Sequence, residues 1–191
     1  MRQQITDVLA HMAEHEAGFS SQFAIPAEVG EYLRMLVLEY KLMRILELGT
    51  WRGASAIYLG SALEELGQGQ VTTVNLPHEE ANIQQARANI AASGLSDYIT
   101  QVLQSAEDYL QQAKDQGLEF DLIFIDADKG HVDSYVRLGL DVLSPSGYIV
   151  VDDWKLLNNQ QQAFFQRLQQ ENNLNLRVVE IGNGLAVVRQ S

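Results

Sequence analysis

Five short apolar runs alternate with stretches of helical spacing, and this alternation limits what the chain can become. The runs are RILEL (44–48), QVTTVNL (70–76), YITQVL (98–103), DLIFID (121–126) and GYIVVDD (147–153). Between them ASAIYLGSALEEL, EEANIQQARANIAAS, AEDYLQQAKDQ and HVDSYVRLGLDVL carry apolar residues three and four apart. Strand and helix alternating at this spacing predict βαβ units and a parallel sheet. The strands lack a polar alternation, as expected of a sheet covered by helices on both faces. NLRVVEI and LAVVRQ flank GNG at 182–184, which predicts an antiparallel C-terminal hairpin because Gly and Asn suit positive φ. Two further helical stretches, about 3–17 and 27–40, are joined by FSSQFAIPA and expected to lie outside this core. The 191 residues suffice for one domain with a sizeable core.

The net charge is −12 and no Lys/Arg cluster occurs, which argues against a nucleic-acid partner. The acidity is read as solubility. There is no cysteine, hence no disulfide framework and no thiolate metal site. The start, MRQQITDVLAHMAEH, lacks an apolar signal region, and no apolar run approaches the about 20 residues that span a bilayer. A soluble cytoplasmic protein is expected, without a membrane partner.

The stretch ILELGTWRGAS (45–55) reads as strand, glycine turn and helix. Gly49 can take backbone angles other residues avoid and leaves room for a ligand, and the helix start beyond it suits an anion. A dinucleotide site would need G-x-G-x-x-G; the Trp51 that follows disfavours a pyrophosphate, whereas a carboxylate could fit. A purely structural βα turn is the competing reading. The second strand ends at Asn75, where a polar group commonly faces a ribose; a turn residue before Pro77 explains it nearly as well.

FIDADKGH ends the fourth strand and IVVDDW the fifth. Neighbouring parallel strands would bring Asp126, Asp152 and Asp153 to one edge. Two carboxylates ~4 Å apart repel by about 4 kcal/mol at an effective dielectric near 20. Three together call for a cation or a proton, and all-oxygen ligation points to Mg, Ca or Mn. Lys129 is the candidate base. Acting near neutrality requires its pKa to fall by about 3 from ~10.4, a cost of roughly 4 kcal/mol that a dication and burial could supply. A counter-ion to Asp126 or Asp128 is its plainer role.

Taken together, ILELGTWRGASAIYLG, VTTVNLPHEEANIQQARANI, FIDADKGHVDSY, LSPSGYIVVDDW and IGNGLAVVR resemble the class I S-adenosylmethionine-dependent O-methyltransferases of the catechol and caffeoyl-CoA type, over about residues 24–189. The resemblance implies a Rossmann-like, doubly wound α/β fold. Its seven-stranded, mostly parallel sheet would have the last strand inserted beside the fifth, and residues 1–40 would cover the active site of a 41–191 core. It implies that Glu47, Gly49, Thr50, Trp51, Gly53 and Ser55 hold the methionine part of S-adenosylmethionine. Asn75 and Leu76 would serve the ribose side, and Ser105, Ala106 and Glu107 the adenine. Asp126, Asp152 and Asp153 match the divalent-metal ligands, Asp126 also bordering the cofactor and the reaction, and Lys129 matches the base. A small hydroxylated, catechol-like acceptor follows, with a homodimer as an assembly the family allows. Four features depart from the family pattern: Asn75 and Ser105 stand where acids are usual, Asp153 replaces an Asn, and the chain after Trp154 passes almost directly into a helix.

His11 and His15 lie four apart on a helix, but without the Glu of a zinc protease they read as a solvated face. Trp154 is balanced between lining the acceptor pocket and packing. Two rival functions stay open: a cofactor-binding protein on this fold without turnover, and a nicotinamide oxidoreductase, which the missing glycine pattern disfavours.

Overall fold

A computed structural model of the chain describes residues 1–15, 24–172 and 174–190. The end of the first expected helix and most of FSSQFAIPA lie outside those residues. Seven strands form one sheet: β1 (Arg44–Leu48), β2 (Gln70–Asn75), β3 (Ile99–Leu103), β4 (Phe120–Ile125), β5 (Leu143–Val151), β6 (Leu174–Val179) and β7 (Leu185–Gln190). Their order is β3-β2-β1-β4-β5-β7-β6. The first five run parallel, while β7 lies antiparallel between β5 and β6, as expected from the hairpin signal.

The helices are α1 (Gln3–His15), α2 (Ala27–Tyr40), α3 (Ala54–Leu66), α4 (Glu80–Ser93), α5 (Ala106–Asp115), α6 (Val132–Asp141) and α7 (Asn159–Asn172). Successive strand residues face opposite sides, and both sides are covered. Ile45, Val71, Leu122, Phe124 and Val150 share a core with α1, α2, α3 and Ile90 of α4. Leu46, Leu48, Val74, Ile123 and Val151 share the other with α5, α6 and α7. The two N-terminal helices therefore do not lie outside the core. Ile5, Val29, Leu33 and Val37 are fully buried in the first cluster, so α1 and α2 form part of one face.

The fifth strand differs from expectation. The expected run starts at Gly147, but β5 begins at Leu143 and takes in SPSG (144–147). The register shifts between the Phe120–Leu143 and Leu122–Tyr148 pairs, and Ser144–Gly147 form the irregularity. Pro145 offers no N–H to a ladder and is tolerated at such a bulge.

Helices α2 and α3 approach closely at Gly30, where an added Cβ would lie 2.2 Å from the Tyr58 ring. A methyl group there overpacks the interface by more than the helix-propensity gain. Gly30→Ala is expected to lower unfolding stability by about 1–3 kcal/mol in urea titration. An unchanged or raised midpoint would mean that the Tyr58 ring turns aside freely.

Candidate active site

The carboxyl edge of the parallel sheet continues past the strands as a backbone ladder. Gln104 N–H donates to Asn75 O, Gly49 N–H to Val74 O, Asp126 N–H to Leu48 O and Asp152 N–H to Ile125 O, at 2.9–3.0 Å. Asn75, Gly49, Asp126 and Asp152 are thereby set side by side. A cavity of about 920 Å³ runs along this edge.

Of the residues expected to hold a cofactor, Gly49, Trp51, Asn75, Leu76 and the Ser105–Glu107 segment line the cavity, with Asp126 at its floor. Glu47, Thr50, Gly53 and Ser55 are buried and do not line it. Gly49 (φ 99°) has a reason other than ligand space: a Cβ there would lie 2.0 Å from the Asp126 carbonyl oxygen. The glycine lets the ends of β1 and β4 meet. Gly53 (φ 91°) caps α3, and Ser105 caps α5, its hydroxyl accepting the Asp108 N–H at 3.1 Å.

A buried polar chain leads to Asn75. Thr73 donates to Glu47 Oε2, and the Thr50 and Thr73 hydroxyls share a hydrogen bond. Thr50 N–H donates to Asn75 Oδ1 at 3.2 Å. This fixes the Asn75 amide and leaves its Nδ2 buried with no hydrogen-bond partner among the described residues. A buried donor without a partner costs about 1–3 kcal/mol, and a hydroxyl oxygen entering the cavity would satisfy it. Glu47 is fully buried. Burial, joined by the Asp126 charge, pushes its carboxyl up to about 7 against the pull of the Ser55 and Thr73 hydroxyls.

The three aspartates gather at the other end of the cavity, and Lys129 stands among them. Its Nζ lies 2.9 Å from Asp126 Oδ1 and 3.2 Å from Asp153 Oδ2. Gln161 of α7 donates to the Lys129 carbonyl and Asp128 accepts the Gly130 N–H, which holds the short turn that carries Lys129. Lys129 thus pairs with Asp126 and Asp153 rather than with Asp128. Burial lowers its pKa, but the two carboxylates outweigh burial and raise it. With these protein groups alone Lys129 is a held ammonium, and the expected fall would need the dication it was tied to. Burial also raises the Asp126 carboxyl, with Lys129 opposing and Asp153 adding to the rise. Asp152 is pushed up to about 7 by burial and then by Asp126 and Asp153. The crowding is met by an ammonium and a weakened acid, so it does not by itself demand a metal. Among the described residues no three of His, Cys, Asp or Glu form a metal-holding group.

Several lining residues escaped the sequence reading. Ile25 and Pro26, just before α2, reach the cavity, as do Tyr135, Leu156 and Asn183. Trp154 packs edge-on against Phe165, their ring centroids 5.3 Å apart, and Leu156 takes the lining place instead. His11 and His15 lie exposed on α1 with ring centroids 3.9 Å apart, away from the cavity.

A sheet of this order with a cavity along its carboxyl edge defines an α/β protein of the Rossmann-like methyltransferase type. Residues 46–154 match the model of the methyltransferase domain, and the chain belongs to that family. It is 32% identical over 144 residues to a catechol O-methyltransferase of Mycobacterium tuberculosis, a match covering 75% of this chain and 63% of that protein. It is 28% identical over 167 residues to a caffeoyl-CoA O-methyltransferase of Populus kitakamiensis, covering 80% and 69%. An O-methyltransferase from Bacillus cereus, solved in complex with S-adenosylhomocysteine, has the same fold, with a TM-score of 0.80 at 24% identity over 100% of this chain and 92% of the other. The chain thus spans less than two thirds of the mycobacterial enzyme's length.

Glu47 carries a pH signature. Its usual pKa of 4.5 rises to about 7 in the fold, so from ~4.5 to ~7 only the unfolded chain gives up the proton. Stability therefore falls as pH rises through that window, by up to about 3 kcal/mol for this group. Glu47→Gln should flatten part of the decline in urea unfolding between pH 5 and 7.5, the remainder belonging to Asp152 and the other groups whose pKa the fold raises, Asp126 and His131 among them. An unchanged slope would mean that Glu47 is ionised in the fold.

Proposed function

We propose that the chain is an S-adenosylmethionine-dependent O-methyltransferase for a small hydroxylated, catechol-like acceptor. The observation that carries this reading is the single cavity joining the buried Asn75 amide at one end to Lys129 and its aspartates at the other. S-adenosylmethionine supplies an electrophilic methyl group and leaves as S-adenosylhomocysteine once the acceptor oxygen has taken it. Asn75 Nδ2 would donate to a ribose hydroxyl, with Leu76 and Ser105–Glu107 beside the adenine and Gly49 and Trp51 beside the methionine part. Glu47, Thr50, Gly53 and Ser55 act as buried residues that fix that surface. Ile25, Pro26 and Leu156 give the acceptor an apolar approach, so the segment leading into α2 covers part of the site in a single-domain protein.

Lys129 would take the acceptor hydroxyl's proton, leaving the oxygen free to attack the methyl carbon, with Asp126 holding the Nζ in place. The field of Asp126 and Asp153 opposes that role, so the rate in EDTA should climb with pH as Lys129 loses its proton. Divalent-metal dependence belongs to the same proposal. Asp126, Asp152 and Asp153 are hard oxygen donors suited to Mg, Ca or Mn, but as placed Asp126 and Asp153 close on Lys129 and Asp152 accepts the Asp153 N–H. A divalent cation among them would supply positive charge that lowers the pKa of an acceptor hydroxyl. The same reading makes the protein cytoplasmic, with a homodimer testable by light scattering.

The held ammonium also favours a second reading, a cofactor-binding protein without turnover. Calorimetry with S-adenosylhomocysteine and NAD, and methyl transfer to a catechol panel, separate the readings. We expect binding of the first ligand only, and turnover. Binding without turnover in either EDTA or Mg²⁺ supports the second reading, and NAD binding sinks both. Lys129→Met and Lys129→Arg should each lower the rate by ~10²-fold or more, with S-adenosylhomocysteine affinity little changed. Arg keeps the charge but cannot accept a proton. An active Lys129→Arg variant would make Lys129 an electrostatic group instead of a base. Mg²⁺ should move the alkaline rise in rate to lower pH, and a profile indifferent to EDTA and Mg²⁺ would remove the metal.

A further inference from the structure

We propose that Asn183 is a positioning residue for Lys129: from the tip of the β6–β7 hairpin its amide holds Asp153 turned toward the ammonium. The inference rests on the methyltransferase reading of the same site. Asn183 Nδ2 donates to Asp153 Oδ1 at 2.9 Å, while Asp153 Oδ2 faces Lys129 Nζ at 3.2 Å. The two oxygens of one carboxylate are thus divided between the hairpin and the lysine.

The backbone does not explain the choice of Asn. An Asn in a tight turn commonly serves positive φ, but here Gly182 (φ 53°) and Gly184 (φ 86°) take the left-handed positions and Asn183 does not. Its side chain reaches the cavity, where an amide can donate to a carboxylate and an acid could not. The tip is itself tied down. Trp154 N–H donates to Gly184 O and Lys155 N–H to Asn183 O, each at 2.9 Å. Gly182 N–H donates to Glu28 Oε1 of α2 at 2.7 Å, and Lys155 pairs with Glu180 at 2.8 Å. Asp153 sits at φ 59°, in the left-handed region, so its short side chain starts from a strained backbone and its aim depends on partners. Asn183 supplies the partner that leaves Oδ2 free for Lys129.

The test is a reciprocal exchange. Asn183→Asp sets two carboxylates against each other, whereas the double variant N183D/D153N restores a hydrogen bond of reversed polarity with the original total charge. The first readout is the Lys129 ammonium cross-peak in ¹H–¹⁵N NMR of the cofactor-free chain in EDTA, assigned by its loss in Lys129→Arg. The second is kcat for catechol methylation beside S-adenosylhomocysteine affinity. We expect N183D to broaden the cross-peak away and lower kcat by about tenfold or more, with affinity within about twofold. The double variant should recover the cross-peak and come within about threefold of D153N. Asn183→Ala, which adds no charge, should show the same losses more weakly. A cross-peak unmoved in N183D and N183A, or a double variant no better than N183D, overturns the proposal. The NMR arm needs no turnover, so a chain that methylates nothing defeats the proposed function while this inference is still decided.

Discussion

The ammonium of Lys129 ties together the carboxyl ends of two strands that would otherwise repel each other. Asp126 ends β4 and Asp153 follows β5, and both are drawn onto one Nζ. Two like charges at ~4 Å cost about 4 kcal/mol at an effective dielectric near 20. The single lysine relieves this because the site is shielded: its side chain keeps 28% of its exposure and those of the two aspartates 21% and 22%. Such pairs are screened less than open surface bridges. Asp152, without a share of the ammonium, answers with a raised pKa and accepts the Asp153 N–H. Lys129 is therefore a structural cation before it is a chemical group.

The other end of the cavity obeys a different constraint, the obligation of buried polar groups to find partners. Glu47, Thr73, Thr50 and Asn75 form a chain from the carboxyl end of β1 to the tip of β2. Each link fixes the next, and the chain ends in an amide donor without a partner among the described residues. A site of this kind is pre-organised: the cost of burying the donor is met in folding and recovered when a ligand oxygen arrives.

Much of this architecture was legible in the sequence. RILEL matches β1 residue for residue, and GNG marked the hairpin. Asp126, Asp152 and Asp153 could be placed together because parallel strands in sequence order deliver their carboxyl ends to one edge. Features that depend on a neighbour distant in sequence were not legible. The clash that requires Gly49 comes from Asp126, 77 positions later, and was read as ligand space. Asn183 looked like turn chemistry until the flanking glycines proved to carry the positive φ. SPSG has the composition of a turn, but the residues on either side of it pair with β4, so it lies as a bulge within one strand. The place of Lys129 between two carboxylates was not legible for the same reason. Burial alone lowers its pKa, and the two carboxylates raise it.

Strain is distributed in a way that fits these two constraints. Among the described residues three non-glycines take positive φ, Lys41, Trp51 and Asp153, and the last two line the cavity. A left-handed conformation costs an ordinary L-residue roughly 1–2 kcal/mol, and it persists only where the surroundings enforce it. For Asp153 the enforcement is visible: its N–H is held by Asp152, its carboxylate by Asn183 and Lys129, and the following N–H groups by the hairpin tip. For Trp51 the backbone is held from both sides. Thr50 N–H is committed to Asn75, and the Asn89 amide of α4 donates to Arg52 O at 2.9 Å. The strained positions are thus fixed by the same polar groups that shape the cavity. Loosening either position would free backbone energy at the expense of the alignment that brings Asn75 and Lys129 to opposite ends of one cleft.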